Sequence, residues 1–291
     1  MIRVRPLLFA LLPLAVAACG GEGDEATDTP TAAAAQDEAV TLRFEAVVGD
    51  EAFACGQSYD GIGATGTTWT PWDLRLYVHD VTLLDDAGHE AALTLDDDGV
   101  WQAEGVALLD FEDKTGACTG TPETRTTVTG TAPAGDWTGV RFTVGVPFDL
   151  NHQDPTLAPS PLNITSMGWS WAAGYKFIRI DGASTGMPGG LFFHLGSAGC
   201  EVDDAQEVSG CDAPNRPTLT VTGLDLDAGA VTLDVAALYA GVDLDANTDG
   251  TAPGCMSQPT DPECAPSFAH LGLDFGGVSG DPSAQSVFSA D

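Results

Sequence analysis

The side chains best suited to holding a soft metal ion are concentrated between residues 151 and 177. Within this segment Met167, Trp169 and Trp171 alternate with small residues. Side chains two residues apart share a face of an extended chain, so we expect these three to form one row. A thioether beside indole rings, with an imidazole nearby, suits Cu(I). The alternative is that the three side chains fill the core, and spacing alone favours that alternative.

The sequence contains five histidines, of which two are candidate ligands for such an ion. His152 lies in a loop-like segment, and His194 lies in a strand-like run. The others are expected in structural or exposed positions: His79 in a strand, His89 in a turn and His270 in a short helix. A single histidine in a strand is more often hydrogen-bonded than metal-bound. His152 and His194 are therefore candidates only because of the segments that surround them.

A second candidate metal site is the segment Asp245–Gly250, which reads DANTDG. It matches the opening of a calcium-binding loop, in which alternating acidic and amide side chains supply oxygen ligands. The twelfth position of such a loop should carry a bidentate acid, but here it is Met256. We expect an Asx-rich turn first and a weak calcium site second.

Signatures of enzymes are scarce, and the charge is one-sided. The sequence has no G-x-S-x-G, no H-E-x-x-H and no glycine-rich nucleotide loop, and none of its many carboxylates is singled out as part of an acid/base pair. The formal net charge is -33. Such a surface repels nucleic acid and anionic lipid, which excludes both as partners, and it favours cations or a basic protein.

The elements that position these residues are predicted to be strands. Period-2 alternation of apolar and polar residues recurs along the chain, with glycine- and aspartate-rich turns between the runs. The runs cover residues 42–47, 73–84, 139–147, 175–181, 190–195, 217–222 and 230–238. Only residues 266–273 suggest a short helix. The pattern predicts an all-β fold: one elaborated antiparallel β-sandwich-like domain with long loops, covering residues 41–291.

The amino terminus resembles an export signal. Two arginines and an apolar run precede Cys19, with Ala17 and Ala18 directly before it. That arrangement resembles the lipobox of bacterial lipoproteins, in which the signal peptide is removed and the new terminal cysteine is lipidated. We expect a signal over 1–18, lipidation at Cys19, and an acidic disordered tether over 19–40. The domain would then be anchored on the periplasmic side of the envelope or at the cell surface.

Setting Cys19 aside, six of the seven cysteines remain, and an even set in an oxidising compartment predicts three disulfides. Proximity along the chain suggests Cys200 with Cys211 and Cys255 with Cys264, which leaves Cys55 with Cys118. This pairing is a prediction from proximity alone, because six cysteines can be paired in many other ways. No C-x-x-C spacing occurs, which argues against a zinc ribbon.

Taken together, motifs spread over most of the domain resemble a known family. They are FACG at 53–56, LYVHDV at 76–81, LLDFED at 108–113, GAC at 116–118, GVPF at 145–148, NH at 151–152, SPLN at 160–163, MGWSW at 167–171, GYKF at 174–177, FHLGS at 193–197 and PNR at 214–216. They resemble the copper-binding partner proteins encoded in methanobactin operons (MbnP-like) and the wider "metallo-mystery pair" family with a four-cysteine motif.

The resemblance implies a function and a set of residues. In that family the first tryptophan of W-x-W is oxidised to kynurenine by a partner resembling a di-haem cytochrome c peroxidase, after which the protein binds Cu(I). Here the modified residue would be Trp169. Met167 would supply the thioether, and either His152 or His194 the imidazole.

The chain departs from the usual pattern of the family at Gly168. Many relatives have an aromatic residue there, and a glycine would loosen the packing around the site. The four-cysteine motif maps onto Cys55, Cys118, Cys200 and Cys211, with Cys255 and Cys264 as an additional pair.

The runner-up function is a calcium-stabilised extracellular binding or adhesion domain, based on the acidic surface and the Asp245–Gly250 turn.

Overall fold

The fold is all-β, as the sequence predicted. A computed structural model describes residues 36–205 and 207–291. The strands, in chain order, are β1 Asp37–Val48, β2 Glu51–Ala52, β3 Tyr59–Ile62, β4 Thr67–Leu84, β5 Glu90–Ala92, β6 Thr94–Leu95, β7 Gln102–Ala103, β8 Val106–Asp110, β9 Thr127–Pro133, β10 Gly139–Val144, β11 Gly168–Ser170, β12 Gly174–Tyr175, β13 Ile178–Ser184, β14 Leu191–Leu195, β15 Ala198–Val202, β16 Val208–Ala213, β17 Thr218–Thr222, β18 Val231–Asp234, β19 Gly254–Cys255 and β20 Phe288–Ala290.

The helices are short. They are α1 Phe148–Asn151, α2 Val235–Leu238 and α3 Cys264–His270, with single 3-10 turns at Thr165–Met167 and Pro282–Ala284. The helix α3 overlaps the segment 266–273 where the sequence predicted a short helix, but it begins two residues earlier. None of the helices in the described ranges has the length and apolar character needed to cross a bilayer.

Two large sheets form the body of the domain. One has the strand order β20-β18-β1-β9-β6, with β2 paired to β1. The other has ten strands in the order β17-β10-β4-β13-β14-β19, with β3, β5, β7 and β8 attached through the long strand β4. Two small hairpins, β11-β12 and β15-β16, lie outside these sheets.

Aromatic contacts join the two sheets. Phe142 of β10 packs edge-to-face against Phe44 of β1 and Phe288 of β20, with ring centroids 5.6 and 5.5 Å apart. All three rings are buried. Strand β1 buries every second side chain from Val40 to Val48, as a half-buried strand does. The period-2 signal in the sequence therefore marks the face that meets the core.

The start of the domain differs from the expectation. Strand β1 begins at Asp37 and pairs with β9 from its first residue, so residues 37–40 belong to the sheet and not to the predicted tether. Their backbone groups find partners in β9, which outweighs their polar composition. The predicted signal over 1–18, lipidation at Cys19 and the tether up to residue 35 lie outside the described residues.

Three disulfides hold the loops: Cys55–Cys118, Cys200–Cys211 and Cys255–Cys264. These are the pairs that proximity along the chain suggested. The first joins the segment after β2 to the segment after β8, and the third ties β19 to α3. The second closes the separate hairpin β15-β16. Each disulfide restricts the unfolded chain between the two segments that it joins.

One face of the ten-stranded sheet carries buried charge. The register places Arg75, Arg179 and His194 side by side on adjacent strands. Two residues further along the same face, Asp73 is paired with Asp181. The opposite face is apolar, with Leu74, Ile180 and Phe193 in register and Leu76, Ile178 and Leu195 in the next row.

The buried charges satisfy one another. Arg75 Nε donates to Asp73 Oδ1 at 2.8 Å, and Arg179 Nη1 lies 3.2 Å from Asp73 Oδ2. Arg179 Nε also donates to Asp181 at 2.9 Å. Burial opposes the charge on Arg75, but the hydrogen bond and the negative charge of Asp73 raise its pKa. Asp73 is therefore the shared counter-ion of two guanidinium groups.

Replacing Asp73 by Asn should destabilise the domain strongly. The amide keeps the shape but leaves Arg75 and Arg179 without their shared negative charge, a loss that typically costs about 3–5 kcal/mol for a buried pair. Chemical denaturation of the purified domain measures the free energy of unfolding.

The matched control is Glu90→Gln, which removes the ion pair of Glu90 with Arg141 at the surface. The side chain of Glu90 is 51% exposed, so this change should leave the unfolding midpoint nearly unchanged. An Asp73→Asn variant as stable as the Glu90→Gln variant would contradict the role given to Asp73.

Candidate metal centre

Trp169 and His194 lie together. Their ring centroids are 6.3 Å apart, and the rings are inclined by 53°. His194 is held in β14, while Trp169 is in the short strand β11, which covers the charged face of the sheet. Gly196 makes this approach feasible, because a Cβ at that position would lie 2.4 Å from the Trp169 ring. The structure thus brings together two of the four predicted metal-site residues.

His194 is oriented by a carboxylate. Its Nε2 lies 2.6 Å from Asp181 Oδ1, and Asp181 is itself bonded to Arg179. The Nδ1 atom is buried and has no hydrogen-bond partner among the described residues. With the proton on Nε2 donated to Asp181, Nδ1 carries an unshared lone pair. A carboxylate that fixes one ring nitrogen so that the other can bind a metal is a recurrent arrangement in metal sites.

The protonation of this pair follows from its surroundings. Burial lowers the pKa of His194, and it outweighs the opposing effect of Asp181. Burial by itself would raise the pKa of Asp181, but hydrogen bonds from His194 and Arg179 overcome it and hold that pKa below its usual value. At neutral pH the pair is therefore a neutral imidazole and a carboxylate. A neutral imidazole is the form that binds metal ions.

The segment around W-x-W is not one strand, which corrects the expectation of a single row of side chains. Met167 ends the 3-10 turn Thr165–Met167, and the strand β11 covers only Gly168–Ser170. Trp171 lies in the turn to β12 and is 39% exposed. Only three residues lie between β11 and β12, and Trp171 is the first of them, so Met167, Trp169 and Trp171 do not share one extended strand.

Ser166 fastens this segment to the charged face. Its carbonyl accepts from Lys176 Nζ at 2.9 Å and from Arg179 Nη1 at 3.2 Å. Its hydroxyl accepts from Arg75 Nη1 at 3.2 Å. The position of Trp169 is therefore coupled to the ion network beneath it.

A cavity of about 160 Å³ adjoins the tryptophans. It lies between the β11-β12 hairpin and the segment after α1, and it is lined by Asn151, Gln153, Pro155, Ile164, Thr165, Gly168, Trp169, Ser170, Trp171, Gly174 and Tyr175. Asn151 is fully buried, and its Oδ1 accepts from the Tyr175 backbone at 2.9 Å. Trp169 therefore contacts His194 and also lines a small cavity that is open to the surface.

His152 is placed differently from His194. Its Nδ1 lies 3.1 Å from the Trp171 carbonyl and its Nε2 lies 3.1 Å from Asn151 Nδ2, so both nitrogens have partners. Cys211 Sγ lies 3.6 Å from the same Nε2. Burial lowers the pKa of His152, and the positive charge of Arg216 adds to the effect. His152 thus contacts the β15-β16 disulfide.

The methionines occupy three environments. Met167 is fully buried, while Met187 and Met256 are partly buried. The parallel pairing of β14 with β19 matches Phe193 with Cys255, so the next residues along, His194 and Met256, run side by side. The Ser257 hydroxyl, which donates to the His194 carbonyl at 2.9 Å, holds this arrangement. Met256 is therefore a second candidate thioether.

The remaining histidines have structural or surface positions. His79 is buried, and its Nδ1 lies 2.9 Å from the Gly145 carbonyl. His89 is 76% exposed and pairs with Asp85, while His270 packs at the end of α3 against Ser286. These positions are the ones expected for the three.

The structure does not support the predicted weak calcium site at Asp245–Gly250. Asp245 accepts hydrogen bonds from Thr65 Oγ1 and the Gly186 backbone, and Asn247 Oδ1 accepts from the Gly254 backbone. These oxygens tie loops together, so the segment is an Asx-rich turn, the alternative that the sequence favoured. The segment contributes to neither group of described side chains close enough to share a metal ion.

Three residues that position His194 or Trp169 were not predicted from the sequence: Asp181, Gly196 and Ser166. Alternation in R-I-D hinted that Arg179 and Asp181 share a face, but only the pairing of β13 with β14 shows that Asp181 reaches His194. Gly196 and Ser166 act through contacts between segments that are distant along the chain, which spacing does not reveal.

Comparison with known proteins agrees with the motif resemblance. The chain matches the MbnP family model over residues 37–257. It is also similar to the solved structure of MbnP from Methylosinus trichosporium, with a TM-score of 0.78 and 31% sequence identity over 88% of this chain and 98% of that one. No curated protein sequence matches it.

The family match spans the strands that carry the candidate site, from β1 through the segment holding Met256 and Ser257. The structural match extends over nearly all of the solved chain. The chain therefore belongs to the MbnP family.

Proposed function

We propose that this protein binds Cu(I) at a site formed by His194, an oxidised Trp169 and a methionine thioether. The observation that carries the proposal is the buried, unpartnered Nδ1 of His194 beside the Trp169 ring. An unpaired buried nitrogen is costly unless a ligand engages it. Soft nitrogen and sulfur donors favour Cu(I) over harder ions.

Oxidation of Trp169 would complete the donor set. Conversion of an indole to kynurenine replaces the ring N–H by an aniline and a ketone, which adds polar groups next to His194. The oxidant would be a partner resembling a di-haem cytochrome c peroxidase, since a strong oxidant is needed to attack an indole. Trp169 is partly exposed and Trp171 is exposed, so the segment is accessible from the surface.

The protein's own residues supply the rest. Asp181 holds the imidazole proton on Nε2 and keeps Nδ1 available. The enclosed position of Met167 would shield a thioether from water. In this role the protein is the substrate of its partner and a carrier of copper, and catalyses no reaction itself.

The proposal includes a place in the cell. A signal over 1–18 and a lipid on Cys19 would hold the domain at the envelope of a bacterium, on the periplasmic side or at the cell surface. The acidic surface, with 43 Asp and Glu against 10 Lys and Arg, would attract cations and a basic partner.

Trp169 should be the modified tryptophan. Co-expression with the haem partner should add about four mass units to the peptide containing Trp169, one oxygen gained and one carbon lost. Peptide mass spectrometry measures the gain, and metal analysis should find copper only in the modified protein. Trp169→Phe should abolish copper retention, while Trp171→Phe should preserve it. Modification of Trp171 with Trp169 unchanged would overturn the assignment.

His194 should supply the imidazole. His194→Gln in the Trp169-modified protein should weaken Cu(I) binding by at least about 10- to 100-fold, the loss seen even when only an outer partner of a metal ligand is removed. His152→Gln is the matched control, because both nitrogens of His152 already have partners. A competition titration with a chromogenic Cu(I) chelator measures both. Equal losses in the two variants would contradict the choice of His194.

Met167 should supply the thioether. Met167→Leu keeps the side-chain volume and removes only the sulfur, so the core should be little disturbed. Cu(I) affinity should fall in Met167→Leu and stay unchanged in Met187→Leu, since Met187 lies in a Gly/Pro-rich turn. The same competition titration is used, with Trp169 already modified. Loss of affinity in Met256→Leu alone would transfer the ligand to the segment beside β14.

A further inference from the structure

A second cluster of metal-ligating atoms lies outside the Trp169–His194 site. The ligating atoms of His152, Cys200 and Cys211 all lie within 4.8 Å of one another. The two sulfurs are joined in the disulfide of the β15-β16 hairpin, in which Cys200 and Cys211 are directly opposite in register. All three residues are partly exposed.

We propose that reduction of the Cys200–Cys211 disulfide opens a second Cu(I) site, in which the two thiolates and His152 Nε2 bind the ion. The site uses neither Trp169 nor His194, so it is independent of the function proposed above. In the oxidised protein the same atoms are closed to metal, because each sulfur is bonded to the other.

A dithiol reductant gives two electrons and two protons to the disulfide, the S–S bond breaks, and the reductant becomes a disulfide itself. The two thiols of Cys200 and Cys211 then each release a proton to solvent as they bind Cu(I). The product is a copper ion with two thiolates and one neutral imidazole, and the group carries one net negative charge.

The backbone keeps the two sulfurs together after reduction. The Cα atoms of Cys200 and Cys211 are 3.8 Å apart across the hairpin, and backbone pairs continue on either side of them. Rotation of the side chains is enough to separate the sulfurs so that both contact one ion. The hairpin forms its own two-stranded sheet, so reduction should leave the strand pairing within the two large sheets intact.

His152 is held in place for this role. The cap of α1 carries it, and its Nδ1 donates to the Trp171 carbonyl at 3.1 Å. That bond fixes the proton on Nδ1 and turns the lone pair of Nε2 toward Cys211, 3.6 Å away. The amide of Asn151, which shares Nε2 at 3.1 Å, is the partner that the metal would displace.

Arg216, whose guanidinium lies over the Phe177 ring, is the candidate counter-ion for such a site. It is partly buried, its Nη2 atom has no hydrogen-bond partner among the described residues, and its Nε is bonded only to the Val146 carbonyl, at 2.6 Å. Its positive charge helps to lower the pKa of His152. A copper dithiolate with one net negative charge would give this guanidinium a counter-ion.

The other cysteine cluster lacks these features. Cys55, Cys118 and Glu112 also lie close together, but Glu112 is buried and its carboxylate accepts from the backbones of Lys114, Gly120 and Thr121. Those bonds shape the loop after β8 and occupy the carboxylate. Cys118 is buried as well, which hinders reduction.

The test uses the full domain expressed without the haem partner, so that Trp169 is unmodified. A phosphine reduces the exposed disulfide, taking up the oxygen of a water molecule while the sulfurs gain two electrons and two protons, and it is then removed anaerobically. Alkylation and peptide mass spectrometry identify the cysteines reduced. Cu(I) binding is then titrated against a chromogenic chelator, with and without prior reduction.

The reduced protein should bind one more Cu(I) per chain than the oxidised protein, with ultraviolet absorption from thiolate-to-copper charge transfer. His152→Gln should weaken this binding by at least about 10-fold. His89→Gln, an exposed histidine in a turn, is the matched control and should bind as the parent does. The double variant Cys200→Ser/Cys211→Ser should gain nothing on treatment with the phosphine.

Equal Cu(I) binding before and after reduction would overturn the inference, as would unchanged affinity in reduced His152→Gln. Trp169→Phe distinguishes the cysteine site from the Trp169–His194 site. It should retain the reduction-dependent site while losing the one that needs oxidised Trp169. Copper bound only by the Trp169-modified, oxidised protein would overturn this inference alone.

Discussion

The charges buried on one face of the ten-stranded sheet govern the architecture of the candidate site. Arg75 and Arg179 lie where two β strands would ordinarily place apolar side chains, and each needs an anion. Asp73 and Asp181 meet that need within the sheet, but donors of both guanidinium groups remain. Ser166 accepts them, and through it the segment carrying Trp169 is fastened across the face.

The same network decides which of the two histidines keeps an unpartnered nitrogen while the Cys200–Cys211 disulfide is intact. Asp181 is shared between Arg179 and His194, so its negative charge persists in a place where burial alone would neutralise it. The carboxylate accepts a hydrogen bond from Nε2–H of His194, which leaves Nδ1 without a proton and without a partner among the described residues. Among the described residues, no carboxylate is bonded to His152; its nitrogens are bonded to a carbonyl and an amide. Two imidazoles in neighbouring segments therefore differ in what they can bind, and the difference originates in the sheet below.

Sequence patterns predict the features that are determined by residues close together along the chain. Alternation along one strand is local, and it was enough to predict an all-β fold, the strand with His194 and the burial pattern of β1. It failed for Met167 to Trp171, because a turn of a few residues interrupts the strand and sends Trp171 to the surface. The start of β1 at Asp37 was missed because pairing with β9 supplies backbone partners that the local polar composition does not reveal.

Contacts between distant segments were beyond the sequence altogether. Asp181 reaches His194 only through the register of β13 and β14, and Met256 runs beside His194 only through the parallel pairing of β14 with β19. The pairing of Cys200 with Cys211 was anticipated from nearness along the chain, yet nothing in the spacing indicated that His152 contacts it. Family motifs bridged part of this gap by naming Trp169.

The place of β1 in its sheet has a mechanical consequence. Its first residues pair with β9 from Asp37 to Arg43, and its last residues pair with β18 from Phe44 to Val47, so the strand is paired with a neighbouring strand from its first residue onward. A pull on the chain from its amino-terminal side, directed along the strand, would load all of these hydrogen bonds together in shear. Peeling them apart one at a time would need a force across the strand. Tension transmitted from that end would therefore meet the domain in its most resistant direction.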